Sequence, residues 1–184
     1  GSNYLEAITK VNTVVMDKTG TLTQGVFSVQ KISSIGDINE DELLKIVASV
    51  ETQSTHPIAK AVVEYANQQK VNLDKAENVK EIAGHGLEAT VASKTVLVGN
   101  AKLLTKNQIE FPVEIASIPE TIVVCAINGA YAGYILVADA PKEDAKKAVD
   151  SLKELGVKNI VMLSGDKQAI VSKLASELNI TQAF

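Results

Sequence analysis

The sequence contains one cysteine and no tryptophan in 184 residues, and aromatic side chains amount to only 4%. The single cysteine, Cys125, can form neither an intrachain disulfide nor a metal cluster built on several cysteines, which excludes zinc-finger-like structures. Because aromatic residues are so few, valine, isoleucine, leucine and alanine must supply most of the core. A core of this composition favours layered α/β packing.

The sequence also lacks an excess of positive charge and an uninterrupted membrane-spanning run. Eighteen basic residues against twenty-two acidic ones give a net charge of −4, so no basic surface is expected to hold the phosphates of a nucleic acid. The uncharged stretch 121–138 has Asn128-Gly129 in its middle, a pair typical of tight hairpin turns. We therefore predict a β-hairpin there and no nucleic-acid partner.

The N-terminus shows no signal peptide. The chain begins with Gly1-Ser2-Asn3, without a basic segment followed by an apolar run. These three residues resemble the remnant of an expression vector. We therefore expect the chain to be a piece of a longer protein.

What is present is an ordinary globular composition, 46% hydrophobic and 22% charged, in a chain long enough for one domain and a smaller second unit. A short apolar strand ends at Asp17, and a helix at 141–155 followed by an apolar strand at 159–163 forms half of a βαβ unit. Ligands bind at the carboxyl ends of parallel strands, so Asp17 and Asp166 are expected at one sheet edge. The chain is therefore predicted to be α/β at both ends.

The middle of the chain indicates a different organisation. Helical periodicity begins near Asn39 or Glu40 and again at Pro57, and short β-branched strands follow. The further strands are expected at 26–32, 79–82, 87–92, 95–98, 122–127 and 131–137, and a last helix runs to about Leu178. We predict a parallel-sheet domain of residues 1–32 and 137–184, interrupted by an inserted α+β domain of residues 33–136 on an antiparallel sheet.

The segment Asp17 to Thr23 offers the strongest chemistry. By position alone, Asp17 could be a helix cap or turn former. The segment, however, combines a carboxylate, a lysine, three hydroxyls and a glycine within a few residues, which suits phosphate. A carboxylate can act as a nucleophile on a phosphoryl group. We expect Asp17 and loop oxygens such as Thr19 to hold Mg²⁺, with Lys18 near the phosphate.

This segment resembles the phosphorylation signature of P-type ATPases. Further motifs follow in the order expected of the heavy-metal-transporting branch, at residues 54–57, 84–86, 99–100 and 164–166. The resemblance covers almost the whole chain. It implies a haloacid-dehalogenase-like, Rossmann-like phosphorylation domain that is interrupted by a nucleotide-binding domain, with ATP and Mg²⁺ as its ligands.

Thr19 distinguishes a pump from a phosphatase of the same superfamily. Related phosphatases usually carry a second aspartate two residues after the nucleophile as general acid and base. Without that group, worth about 10² to 10⁴ in rate, an aspartyl phosphate should persist. A stand-alone phosphatase and a non-catalytic nucleotide-binding module remain the alternatives.

The resemblance also implies an adenine site at Glu51 and His56, where the histidine contacts the base and the glutamate its amino edge. A lone histidine is more often a capping or core residue. Thr55 departs from the family, which commonly has a glutamate there. No Walker loop occurs in the sequence, so ATP binding cannot be argued from that motif.

Four further residues are expected at the nucleotide. Gly84-His85-Gly86 is first of all a strand-to-strand turn, but such a turn also lets backbone N–H groups approach phosphates or ribose. Gly99-Asn100 closes a strand before a helix, and Gly99 is expected to pack against nucleotide. The Gly84-His85-Gly86 motif lacks the third glycine and the following helix of a dinucleotide-binding fingerprint.

The segment Ser164-Gly165-Asp166 is expected opposite Asp17, with the Ser164 hydroxyl donating to a phosphate oxygen. The alternative is that Asp166 merely caps the following helix. Asp139 and Lys142 resemble an Asp-x-x-Arg segment that hinges the two domains, with lysine in place of arginine. An ordinary salt-bridged helix start is the alternative there.

The family's downstream lysine and its Gly-Asp-Gly-x-Asn-Asp segment do not occur in the chain. We therefore expect a truncated fragment that binds adenine nucleotide but by itself is inactive in autophosphorylation and transport. The parent is expected to be a plasma-membrane exporter, zinc or cadmium being favoured over copper, with this part in the cytoplasm. Its partners would be its own actuator and membrane domains, and the transported ion would bind only in the absent transmembrane part.

Overall fold

The computed structural model describes Ile8 and residues 10–184, so the Gly1-Ser2-Asn3 start lies outside the described residues. The chain forms two units. One consists of residues 1–26 and 139–184, and the other of residues 27–138. The units divide at 26/27 and 138/139, six residues before and two residues after the boundaries expected at 32/33 and 136/137.

The described elements begin with two strands, group strands in the middle and alternate helices and strands at the C-terminal end. The strands are β1 (Thr13–Asp17), β2 (Thr23–Ser34), β3 (Ala76–Ile82), β4 (Gly86–Val91), β5 (Lys94–Gly99), β6 (Thr121–Ile127), β7 (Ala130–Pro141), β8 (Asn159–Leu163) and β9 (Gln182–Ala183). The helices are α1 (Glu40–Glu51), α2 (Pro57–Gln68), α3 (Ala101–Lys106), α4 (Ala145–Glu154) and α5 (Gln168–Glu177).

The first unit is built on a parallel sheet in the order β1-β8-β9. Its core joins Leu22 with apolar side chains of β8, α4 and α5, among them Met162, Val149 and Leu174. Strand β9 was not predicted, because two residues near the chain end carry no periodicity. The helix expected from Pro141 begins only at Ala145, since β7 continues to Pro141.

The second unit is built on an antiparallel meander of β3 to β7, and β2 lies beside β7 in the same sheet. Helices α1 and α2 bury Leu43, Val47 and Val62 against one face of the sheet. Helix α3 covers the other face with Leu103 and Leu104. The central strands β5, β6 and β7 are therefore buried on both faces, whereas the edge strands β2 and β3 are largely exposed.

The uncharged stretch 121–138 is a hairpin, as predicted. Strands β6 and β7 pair antiparallel, and Asn128 and Gly129 both have positive φ, 49° and 79°, as a type I′ turn requires. In the described part of the chain, no helix is both long and apolar enough to cross a bilayer.

Candidate functional site

Asp17 is the last residue of β1 and lies opposite Leu163, the last residue of β8, in the parallel ladder. Its side chain is exposed, and it makes no capping hydrogen bond with the turn that follows. The helix-cap role considered for Asp17 is therefore absent. What remains is an open carboxylate at the carboxyl end of a parallel strand, the edge where such sheets bind ligands.

The turn of residues 18–22 carries Lys18 inward and Thr19 outward. Lys18 is 4% exposed, and its ammonium donates to the Asp166 carboxylate. Thr19, two residues after Asp17, is exposed. Gly20 has a φ of 75°, a conformation that glycine adopts without strain. The buried lysine charge is thus compensated by an aspartate from the next strand end, a pairing that the sequence alone did not indicate.

Ser164, Gly165 and Asp166 form the loop after β8. The Asp166 backbone N–H donates to the Ser164 hydroxyl oxygen at 3.1 Å, which leaves the hydroxyl hydrogen available for another acceptor. Gly165 is exposed, with open space where a side chain would lie. Helix α5 begins after Lys167 and has no side-chain cap. Asp166 therefore holds Lys18 instead of capping the helix.

Asp139 and Lys142 hold the Asp17 turn from the end of β7. The Asp139 carboxylate accepts from the Thr23 hydroxyl at 2.5 Å and from the Gly25 N–H at 2.8 Å. The Lys142 ammonium donates to the Gly20 carbonyl at 2.9 Å. These contacts replace the salt-bridged helix start that was considered as the alternative, because the helix begins three residues further on. Thr23, which is fully buried, joins the predicted site residues as a structural member.

The second unit contains a cleft of about 570 Å³. On one side it is lined by the end of α1 and the start of α2. On the other side it is lined by the β3–β4 turn and the end of β5. All six residues predicted for nucleotide binding lie along it, together with Thr55, Glu81, His85 and Thr121. The lining residues are Glu51, Gln53, Ser54, Thr55, His56, Ile58, Ala59, Glu81, Ile82, Gly84, His85, Gly86, Leu87, Val98, Gly99, Asn100, Thr121, Ile122 and Val123.

Glu51 is the last residue of α1 and is only 8% exposed. Burial raises the pKa of its carboxyl from 4.5 to about 7, because removal from water disfavours the charged form. No hydrogen-bond donor or cation contacts this carboxyl within the part of the chain that the structure describes. An acid whose pKa is raised by burial therefore faces the cleft.

His56 combines the two roles that sequence reasoning set against each other. It is the N-cap of α2, with its Nδ1 accepting from the Ile58 N–H at 3.2 Å. Because a backbone N–H can only donate, Nδ1 must be the acceptor, and the neutral ring carries its hydrogen on Nε2. The exposed ring also lines the cleft, where its face and its Nε2–H are available to a ligand.

The glycines differ in what they allow. Gly86 and Gly99 are directly paired across β4 and β5. A Cβ on Gly86 would lie 2.2 Å from the Val98 carbonyl oxygen, and a Cβ on Gly99 would lie 2.1 Å from that of His85. Gly84 has a φ of 71° and open space around it. Close backbone packing therefore explains Gly86 and Gly99, which leaves Gly84 as the glycine whose backbone is freely accessible.

Asn100 connects the turn to α3. Its Nδ2 donates to the Gly84 carbonyl at 3.0 Å, and its Oδ1 accepts from the Leu103 N–H at 3.2 Å. His85 is fixed on the other side of the turn, with its Nδ1 2.8 Å from the Ala83 carbonyl oxygen. The turn is thus held at one end of the cleft by side chains.

The twelve predicted site residues are brought together as two groups of six, one in each unit. Sequence reasoning placed Thr23 in the phosphate-suited segment without predicting its contact, and it did not identify Glu81 or Thr121 as part of the cleft. The contact of Thr23 with Asp139 joins residues 116 positions apart, so no local pattern could have revealed it. His85, between two predicted glycines, was the neighbour that the motif itself could have indicated.

Residues 11–184 match the family model described as haloacid dehalogenase-like hydrolase. The chain therefore belongs to the haloacid dehalogenase-like hydrolase family. Within it, the resemblance to heavy-metal P-type ATPases is confirmed by the relatives that the chain matches. It is 43% identical over 185 residues to the cadmium, zinc and cobalt-transporting ATPase of Bacillus subtilis, which covers 100% of this chain and 26% of that protein.

A copper-exporting P-type ATPase of Staphylococcus haemolyticus is 36% identical over 190 residues, covering 100% of this chain and 23% of that protein. Among solved structures, the crystal structure of a zinc-transporting PIB-type ATPase in its E2·Pi state matches with a TM-score of 0.85 and 33% identity, over 100% of this chain and 30% of that one. The chain spans about a quarter of the length of the curated relatives it matches.

Proposed function

We propose that this chain is the ATP-binding and phosphorylation part of a heavy-metal cation exporter, and that Asp17 receives the terminal phosphoryl group of ATP. The observation that carries the proposal is the position of Asp17. It is an exposed carboxylate at the end of a parallel strand, and the next residue, Lys18, ties its turn to the Ser164–Asp166 loop. A carboxylate fixed in this way can act as a nucleophile on phosphorus.

In the proposed step, an oxygen of Asp17 forms a bond to the γ-phosphorus, and the bond from that phosphorus to the β,γ-bridging oxygen breaks. The electron pair leaves with ADP. The Ser164 hydroxyl hydrogen is available to donate to an oxygen of the transferred group. The contacts of Asp139 and Lys142 keep the backbone of the Asp17 turn in place, so that little reorganisation is needed when charge develops.

Oxygen ligands suited to Mg²⁺ are present in the Asp17 carboxylate and the adjacent Thr19. The described residues contain no cluster of three or more acidic, histidine or cysteine side chains. This is compatible with Mg²⁺, which usually takes one or two carboxylates and completes its shell with water and phosphate oxygens. When bound, the ion would supply charge neutralisation for the phosphoryl group.

We further propose that Thr19 allows the aspartyl phosphate to persist. Thr19 stands two residues after Asp17, and its hydroxyl cannot accept a proton at neutral pH as a carboxylate can. Water attack on the intermediate therefore lacks its general base. This supports a transporter, which has to keep the intermediate while it changes conformation, over a stand-alone phosphatase.

The cleft of the second unit is proposed to bind the adenosine part of ATP. Ile58, Ile122 and Val123 offer apolar surface to a base, and His56, Glu51 and the accessible Gly84 backbone offer polar contacts. An apolar cleft with a few convergent polar groups is typical of small-molecule sites. No lysine is among its lining residues, so the phosphates are not expected to contribute much to binding there.

Zinc or cadmium is proposed as the exported ion in preference to copper. The support is limited to similarity: the chain is 43% identical to a relative named for cadmium, zinc and cobalt and 36% identical to one named for copper. We further propose that the parent is an integral plasma-membrane protein, that this part lies in the cytoplasm, and that its partners are the parent's actuator and membrane domains.

Calorimetric titration of the chain with ATP, ADP and adenosine tests the nucleotide assignment. We expect all three to bind, and expect His56→Ala to weaken each of them at least several-fold. A Lys60→Ala variant, changed on the exposed side of α2 outside the cleft, serves as the control and should bind as the wild type does. Absence of adenosine binding, or unchanged affinity in His56→Ala, would remove the cleft from the proposal.

The phosphorylation assignment is tested in the full-length protein with γ-labelled ATP. Label should be incorporated in an acid-stable, hydroxylamine-labile form, as expected of an acyl phosphate, and Asp17→Asn should abolish it. Thr19→Asp is expected to shorten the lifetime of the label, since it restores a proton acceptor. Full labelling of the Asp17→Asn protein would refute the assignment.

A further inference from the structure

The two histidines of the chain both line the cleft, and they face it with opposite hydrogen-bonding polarity. The Nδ1 of His56 accepts from the Ile58 N–H, so its neutral ring carries a hydrogen on Nε2. The Nδ1 of His85 lies 2.8 Å from the Ala83 carbonyl oxygen. Because a carbonyl oxygen can only accept, this Nδ1 must carry the hydrogen, and Nε2 of the neutral His85 ring is an acceptor. His56 therefore offers a donor to a ligand, and His85 offers an acceptor.

His85 is held in place by its backbone as well as by its side chain. Its N–H donates to the Ile82 carbonyl at 2.9 Å, and its carbonyl oxygen accepts from the Asn100 N–H at 2.9 Å. Together with the contact to Ala83, three hydrogen bonds fix this half-buried residue in the β3–β4 turn. Its Nε2 has no hydrogen-bond partner in the part of the chain that the structure describes. A ligand can therefore use this acceptor with little of the entropy cost of ordering a side chain.

The polar side chains nearest to His85 along the chain and across the turn are less suited to accept from a ligand. The amide of Asn100 is already used at both ends, by the Gly84 carbonyl and by the Leu103 N–H. The Glu81 carboxylate is exposed to water, and among the described residues no hydrogen bond or ion pair orients it. His85 is therefore the acceptor on this side of the cleft whose position is fixed before a ligand binds.

The lone pair on Nε2 determines which part of a nucleotide this nitrogen can contact. Charged phosphate oxygens can only accept hydrogen bonds, so a neutral imidazole nitrogen with a lone pair has no attraction for them. The donors of an adenine nucleoside are its N6 amino group and its ribose hydroxyls. The polar contacts proposed for the base, His56 and Glu51, lie on the α1 and α2 side of the cleft. The donors that remain for the turn side are therefore the ribose hydroxyls.

We propose that His85 is a specificity-determining residue of the cleft and that its Nε2 accepts a hydrogen bond from a ribose hydroxyl. This inference rests on the proposed nucleotide-binding function and adds to it the sugar that the cleft selects. The 2′ and 3′ hydroxyls both have the required chemistry, and the experiment distinguishes them. A nucleoside without the contacted hydroxyl leaves Nε2 without a partner and therefore binds more weakly.

The experiment titrates the purified chain by calorimetry with adenosine, 2′-deoxyadenosine, 3′-deoxyadenosine and purine riboside, which lacks the amino group of adenine. The titrations are run at about pH 8, where an ordinary imidazole is neutral. At least one of the two deoxynucleosides should bind about fivefold more weakly than adenosine, as expected for the loss of one neutral hydrogen bond. The analogue that shows this loss identifies the hydroxyl that His85 contacts.

Four variants, each checked for folding by circular dichroism, assign the effect to His85. His85→Ala removes the acceptor, so adenosine should bind about as weakly as the deoxynucleoside does. His85→Gln should keep part of the difference, because its amide oxygen can take the place of Nε2. His56→Ala is the matched control, since it should weaken adenosine and its deoxy analogue alike and so keep the ratio of their affinities. Glu81→Gln should also keep the wild-type ratio.

The outcomes separate this inference from the function on which it rests. If adenosine and both deoxynucleosides bind to the wild type with equal affinity, no ribose hydroxyl is recognised and the inference is overturned. It is also overturned if folded His85→Ala keeps the wild-type ratio or if Glu81→Gln loses it. A difference between adenosine and purine riboside that disappears in His85→Ala would assign His85 to the base instead of the sugar. If adenosine does not bind to the wild type at all, the nucleotide-binding function itself fails.

Discussion

The paired glycines of β4 and β5 offer a sharp test of whether the glycines of the cleft serve the fold or the ligand. In Gly86→Ala, the new methyl carbon would lie 2.2 Å from the Val98 carbonyl oxygen and 2.6 Å from the Gly99 Cα. Both are backbone atoms of the neighbouring strand, which cannot turn aside as a side chain can. Gly84→Ala is the matched control, because nothing lies within 4 Å of its methyl position.

The two substitutions share a backbone penalty and differ in packing. Both residues have positive φ, 71° for Gly84 and 146° for Gly86, and an L-residue in left-handed conformation costs about 1–2 kcal/mol. Overpacking adds about 1–3 kcal/mol, or more where the neighbours cannot shift. We therefore expect losses in the free energy of unfolding of about 1 kcal/mol for Gly84→Ala and about 3 kcal/mol or more for Gly86→Ala.

The assay is urea denaturation followed by far-ultraviolet circular dichroism, with AMP titration of each folded variant. Gly99→Ala should resemble Gly86→Ala, since its methyl carbon would meet the His85 carbonyl oxygen at 2.1 Å. Gly84→Ala should lose more in AMP affinity than in stability. Equal destabilisation by Gly84→Ala and Gly86→Ala would refute the reasoning, because the close contact would then have no energetic consequence.

Three further outcomes are expected from urea denaturation. Asp166→Ala should lower the free energy of unfolding by about 3 kcal/mol, because it leaves the buried Lys18 ammonium without its partner. Lys18→Met should cost about 1 kcal/mol or less, because the carboxylate that it leaves is 43% exposed. A larger loss in Lys18→Met than in Asp166→Ala would contradict this. Thr23→Val should cost about 1–3 kcal/mol through the lost hydroxyl donor to Asp139, and Thr23→Ser should recover most of it; equal losses would count against the hydrogen bond. Burial raises the Glu51 pKa from 4.5 to about 7, so between these two pH values the folded state binds more protons than the unfolded state. Ionisation of Glu51 should therefore lower the free energy of unfolding by about 3 kcal/mol as the pH rises from 4.5 to about 7. Glu51→Gln should remove that decrease. An identical pH profile of stability in the wild type and in Glu51→Gln would show that the pKa of Glu51 is not raised.

Most of the fold could be predicted because its elements follow local rules. Alternation and turn residues identified the meander, and Asn128-Gly129 identified the hairpin correctly. Errors arose where an element is determined by contacts with distant parts of the chain. The helix after β7 was predicted four residues too early, because Pro141 suits a helix start as well as a strand end, and only pairing within the sheet decides between them.

The candidate site could likewise be predicted only in part. Residues in short contiguous motifs, such as Asp17 and Gly84, could be found from the sequence. Their contacts could not, since Lys18 meets Asp166 and Thr23 meets Asp139 across more than a hundred residues. The sequence could also not separate a glycine required by packing, Gly86, from one left open, because both look alike without the neighbouring strand.

Positive charge is distributed unevenly between the two proposed sites. All eighteen basic residues are lysines, and none lines the cleft of the second unit, whereas Lys18 and Lys142 both contact the Asp17 turn and its neighbouring loop. A cleft without lysines has to recognise a ligand by apolar surface and by hydrogen bonds, which agrees with the purine base proposed for it. In the first unit the Lys18 charge is already paired with Asp166, so compensation for a phosphoryl group beside Asp17 would have to come from Mg²⁺ and from Lys142, whose ammonium donates to the Gly20 carbonyl. We therefore expect the proposed base recognition to respond to changes in the cleft, such as His56→Ala, and the proposed phosphoryl transfer to respond to loss of Mg²⁺ or of Lys142.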